Sequence, residues 1–87
     1  MASISAEQKI EKACVEAKEK LESLGIEEKI QSELDYVLGS YSYDKNPVGL
    51  YEIGGKALKA LESYKKDNPR KVSKKLISDI ESALKTK

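Results

Sequence analysis

Cys14 is the one thiol in this chain, and there is no histidine to activate it. A single cysteine excludes an intrachain disulfide and a cysteine-based zinc site. The missing imidazoles remove the metal sites built on them and acid–base chemistry near neutral pH. Cys14 also falls on an apolar stripe, where burial raises a thiol's pKa and leaves it inert. It reads as a small core residue. The carboxylates are mostly interleaved with lysines. Asp35 beside Tyr36 and Asp44 beside Tyr43 stand in an aromatic setting, and neither pair has a visible third partner. The stretch GLYEIGGKA, from Gly49, shares the Gly49–Gly54 spacing of the phosphate loop G-x-x-x-x-G-K-[ST]. Gly55 stands where the lysine belongs, and the next position, Lys56, has no hydroxyl for magnesium. No catalytic residue, cofactor site or metal ligand is expected, and the chain does not read as an enzyme.

Two groups of residues retain binding chemistry. The first is aromatic. Four of the five tyrosines and four of the five glycines gather between residues 36 and 55, and phenylalanine and tryptophan are absent. Tyrosine offers a large rigid surface with a polar tip, which suits a core edge and an interface hot spot alike. Tyr36, Tyr51 and Tyr64 are expected to staple a local mini-core. Tyr41 and Tyr43, between two turns in polar surroundings, are the expected protein-contact surface, with Asp44 and Lys45 beside them.

The second group is electrostatic. Residues 1–44 hold five lysines and ten carboxylates, a net of −5, whereas residues 45–87 hold eleven cations and five carboxylates, a net of +6. Within YKKDNPRKVSKK, Lys65, Lys66, Arg70, Lys71, Lys74 and Lys75 cluster across one turn with Asp67 as the only opposing charge. Such a cluster is a reasonable phosphate or nucleic-acid site. Against it stand a pI near 7.7, a single arginine and an acidic N-terminal half that would repel a polyanion.

These residues need elements to place them. From Ser5, an N-cap with Gln8 completing a capping box, Ile10, Cys14, Ala17, Leu21 and Leu24 recur at helical spacing. Gly25 ends that helix in a Schellman motif, with Ile26 folding back onto Leu21. The stripe is too short for a coiled coil. A second helix is expected over 26–38, carrying Ile26, Ile30, Leu34 and Val37 and extending to Tyr41, with Gly39 as terminator. Residues 39–46 then form a Tyr-rich connection. Asn46-Pro47 starts a third helix over 47–66, since asparagine caps orphan amides and proline suits the first helical turn. Its stripe is Leu50, Ile53, Ala57, Leu61 and Tyr64. The last helix, 70–85, carries Leu76, Ile77, Ile80, Ala83 and Leu84. It starts either from Asn68-Pro69 or from Ser73, with Val72 and Ile77 as a hydrophobic staple. Gly54 and Gly55, costly inside a helix, imply either that the helix begins after them or that a neighbouring helix or Tyr ring packs against the backbone, the second being the expectation.

The fold class is therefore all-α: one domain, a bundle of four short amphipathic helices. The alternative is a β-hairpin at 36–53, with Tyr36–Tyr43 and Val48–Ile53 as strands. Gly39 and Gly49 inside both strands weigh against it. Eighty-seven residues with 39% apolar and 36% charged composition can bury one modest core. No basic leader with an apolar run opens the chain and no window is long enough to span a membrane, so a soluble, cytoplasmic monomer or weak homodimer is expected. The expected function is that of a non-catalytic protein-interaction or regulatory domain whose partner is unknown. The alternative is nucleic-acid or other polyanion binding through residues 65–75.

Overall fold

The computed structural model describes residues 6–85. It contains four helices, α1 (Ala6–Leu24), α2 (Glu28–Asp44), α3 (Val48–Asp67) and α4 (Lys74–Lys85), and no strand among the described residues. The β-hairpin alternative fails because both of its proposed strands lie within α2 and α3. The Ser5 cap falls outside the described residues.

The helices alternate in direction. Lys18 of α1 meets Asp35 of α2 and Glu7 meets Tyr41, so α1 and α2 run antiparallel. Glu33 and Val37 of α2 lie beside Lys56 and Gly49 of α3, again antiparallel. Each of α1 and α3 packs against all three other helices, while α2 and α4 do not meet. The central pair is thus α1 and α3, flanked by α2 and α4, in a body of 36 × 29 × 17 Å.

The expected apolar stripes meet in one core. Ile10, Cys14, Ala17 and Leu21 of α1, Leu34 and Tyr41 of α2, and Leu50, Ile53, Ala57, Leu58 and Leu61 of α3 are all buried, with Val72, Ile80 and Ala83 closing the α4 side. No charged side chain is buried with them among the described residues. Burial of these side chains stabilises the fold by about 1.5–3 kcal/mol for each large aliphatic.

The turns show how the helices are aimed. Gly25, at φ 68, occupies the left-handed region that glycine enters without Cβ strain. Ile26 donates its N–H to the Leu21 carbonyl at 3.2 Å, and Gly25 donates to Glu22 at 3.1 Å, which is the expected Schellman pairing. The Gln31 amide then clamps this corner by donating to the Leu21 and Ile26 carbonyls at 3.2 and 2.8 Å. Glu27 is left-handed as well, so α2 starts at Glu28 rather than Ile26.

At its other end α2 runs through Gly39 to Asp44, and the expected connection 39–46 shrinks to 45–47. A single glycine costs a helix only about 1 kcal/mol. Burying the Tyr41 ring on the far side outweighs that, and α2 stops at Lys45, whose left-handed backbone (φ 58) returns its N–H to the Tyr41 carbonyl at 2.7 Å. Asn46 accepts the Val48 N–H at 3.1 Å, but α3 starts at Val48, so Pro47 takes the cap position, its carbonyl accepting the Tyr51 N–H, rather than the first helical position expected of it.

Asn68-Pro69 does not start α4. Residues 69–73 form a turn, and the Ser73 hydroxyl accepts the Leu76 N–H at 3.1 Å as the true cap. Val72, fully buried, pins the turn to the core, with Ile77 packed against that core in the staple position.

The paired glycines divide. A Cβ on Gly54 would meet Cys14 Sγ at 3.3 Å and Ile10 and Leu84 methyl groups at 3.5 Å, so its smallness lets α3 approach α1 and α4. A Cβ on Gly55 would meet nothing within 4 Å among the described residues. Gly55→Ala is expected to gain helix propensity without a clash, raising stability by about 0.5–1 kcal/mol. Urea unfolding would show this as a higher midpoint at unchanged slope.

Candidate contact surface

Tyr36 and Tyr43 are seven residues apart on α2, two helical turns along one face. With α1 and α3 taking its other faces, that face meets solvent. Tyr36 is 77% exposed and Tyr43 96%. Between them, three and four residues on from Tyr36, lie Gly39 and Ser40, both with very small side chains. The two rings therefore rise at either end of a low saddle. The resulting open depression of about 570 Å³ is bordered by Asp35 and Asp44. Asp35 is held at 3.0 Å by the Lys18 ammonium, a hydrogen bond that also raises the Lys18 pKa. Asp44 accepts the Asn46 N–H at 2.9 Å. The backbone under the saddle is thus fixed at both ends.

On its other side Tyr36 lines a second groove of about 440 Å³ between α2 and α3, floored by Val37, Gly49 and Ile53. A Cβ on Gly49 would come within 3.1 Å of Val37, so glycine sets the spacing of these two helices. The Lys56–Glu33 pair, at 3.6 Å, bridges the groove. Tyr36 is the ridge shared by both depressions.

Two tyrosines exchange the places expected of them. Tyr41, expected at the surface, is 6% exposed and belongs to the core. Its hydroxyl donates to the Glu7 carboxylate at 3.4 Å, and the Lys45 ammonium stands 5.3 Å from its ring centroid. Burial, then the negative charge of Glu7 and Glu11, pushes its pKa up. Tyr36, expected in a mini-core, is free of it. The signal was present: Tyr36 lies between Leu34 and Val37, off the stripe that leads to Tyr41. It lies inside the segment already expected to be helical, over 26–38, so the stripe alone sets it off the core face. Of the four residues that the sequence assigns to the surface, Tyr43 and Asp44 line the saddle, Tyr41 leaves it, and Lys45 covers the buried ring.

The basic cluster stands at the other end of α3, roughly 30 Å away at 1.5 Å per residue. Lys65 is half-buried, while Lys66, Arg70, Lys71, Lys74 and Lys75 are exposed. No ion pair engages any of the six among the described residues, although Lys18, Lys56 and Lys85 all find carboxylates.

Cys14 is sealed in the core, its thiol donating weakly to the Leu50 carbonyl at 3.3 Å. Burial, with a smaller contribution from Glu11, pushes it up to about 12, so it stays protonated through neutral pH. No cluster of three metal-ligating side chains occurs among the described residues, and none of their helices is long and apolar enough to cross a membrane. Comparison with protein families, with curated proteins and with solved structures gives no match to this chain.

Proposed function

We propose that this chain is a small non-catalytic interaction domain that binds a protein partner through the outer face of α2, using Tyr36, Gly39, Ser40 and Tyr43. The observation that carries the proposal is the pair of exposed tyrosines flanking a glycine the fold does not need. Gly39 has ordinary helical backbone and nothing within 4 Å of its Cβ position among the described residues. Alanine there would strengthen α2. Its place between two exposed rings leaves the α2 backbone open to the approach of another surface. Tyrosine rings at such a place are among the residues most often found as interface hot spots.

Binding can be separated from folding by mutation. Tyr36→Ser with Tyr43→Ser removes two exposed rings and is expected to leave the melting temperature within a few degrees. Affinity for a protein partner should fall by at least roughly 30-fold, the equivalent of one hot spot. Gly39→Ala should raise the melting temperature and weaken the same interaction. Undiminished binding by both variants would overturn the proposal, as would collapse of the double serine variant.

A further inference from the structure

The basic end of the molecule is a second surface, independent of the α2 face. Six cations lie along the last turn of α3, the following turn and the first turn of α4. Lys65 and Lys66 are well placed, since cations complement the C-terminal end of a helix. Lys74 and Lys75 are badly placed, because they add positive charge to the positive end of α4, whose first turn holds no acid. These six cations have no ion pair among the described residues, as is also true of Lys9, Lys12, Lys20, Lys29, Lys45 and Lys59; what distinguishes the six is that they fall together within residues 65–75, with Asp67 as the only acid in that run. The cluster stands on a segment that is firmly held: Val72 is fully buried, Ser73 caps α4, and the Asn68 N–H closes α3 on the Tyr64 carbonyl at 2.9 Å. The cations therefore project from a fixed turn.

We infer that this corner binds the phosphate backbone of nucleic acid without reading its sequence. Lys66, Arg70, Lys71 and Lys74 form its centre. Lys75 contributes less, because it shares a groove with Glu16, Glu19 and Asp79. Repeating phosphates match a row of separate lysine ammonium groups, each a flexible point charge. Base-specific recognition would need more arginine, asparagine or glutamine aimed at base edges than one arginine and Asn68 supply. An anionic membrane is disfavoured by the same turn. Surface-binding helices set large apolar side chains beside their cations, whereas the exposed large apolar residues here are Val15, Tyr36, Tyr43 and Val48, none of them at this corner. The acidic half reaches the rim of this corner, where Glu16 and Glu19 share the Lys75 groove and Glu27 shares one with Asp67, so phosphate is expected to enter from the Arg70–Lys71 side of the turn.

The experiment is fluorescence anisotropy of labelled mixed-sequence oligonucleotides, single- and double-stranded, at salt concentrations from about 50 to 200 mM. Binding is expected at low salt and should be insensitive to sequence. Four phosphate contacts give a slope of log K against log salt of about −3 to −4. Lys71→Glu with Lys74→Glu should lower affinity at least roughly 10-fold. The second of these substitutions puts an acid in the first turn of α4, so the melting temperature should stay equal or rise slightly. Poly-glutamate and phosphatidylserine vesicles serve as competing anions. No binding at the lowest salt, binding unchanged by the double variant, or preference for either competitor would overturn the inference.

Discussion

Tyr41→Ala is expected to lower the melting temperature by roughly 15–25 °C, whereas Tyr43→Ala, two residues on, should leave it within about 3 °C. The difference follows from helical geometry. Two residues on a helix are separated by about 200°, so when one faces the core the other faces water. Tyr41 fills space between α2 and the ends of α1 and α3, and its hydroxyl reaches Glu7. Removing the ring leaves a cavity that a body only 17 Å thick has few layers to fill. It also removes the ring over which the Lys45 ammonium stands, while the backbone bond from Lys45 to the carbonyl at position 41 remains. Tyr43, almost wholly exposed, has no such burial to lose. Thermal melts of the two single variants under one buffer decide the matter. Equal losses would mean that α2 does not continue past Gly39 as described.

Alkaline pH is expected to unfold the protein through Cys14. The thiol titrates near 9.0 when exposed and near 12 in the fold, because burial excludes the thiolate and Glu11 adds to the penalty. The native state therefore holds this proton more tightly than the unfolded chain. The contribution is fully present below pH 9 and is lost as pH rises through about 12. At about 1.4 kcal/mol per pKa unit, roughly 3 kcal/mol is gone by about pH 11 and about 4 kcal/mol at the limit. Tyr41, raised in the same direction, adds to the loss at higher pH. The clean observable is a difference, in which contributions from all other groups cancel. Urea stability of the wild type minus that of Cys14→Ala should shrink steadily from about pH 8 to about pH 11, because alanine has no proton to lose. A constant difference would show that the thiol is not sealed from solvent.

Much of this architecture was legible in the residues, because the helical stripes are regular and the terminators are strong. Gly25, Asn46-Pro47 and Ser73 each act through local hydrogen bonds that the sequence specifies within a few positions. Cys14 was readable as core because it lies on such a stripe. Gly39 was not readable as helix. Its cost of about 1 kcal/mol is local, and the burial that overrides it involves Glu7, far away in the chain. That single override moved the end of α2, placed Tyr41 in the core and set Tyr43 on the same outer face as Tyr36. Asn68-Pro69 misled in the opposite way: its local start signal yields to Val72, which reaches the core only if the chain turns first. The basic cluster was visible in the sequence as a run of charge. That its members stay unpaired depends on where carboxylates from other helices come to rest, and no local pattern reports that.

The most direct test of the α2 contact surface is site-specific photo-crosslinking in an extract of the native host. A photoreactive residue at Ser40, in the saddle, is compared with one at Ser78, exposed on α4. If the α2 face binds a protein, position 40 gives a discrete adduct that position 78 does not. Unlabelled wild type should suppress it, and the Tyr36→Ser/Tyr43→Ser variant should not. Identical adducts from both positions, or equal suppression by the serine variant, would contradict the proposed surface.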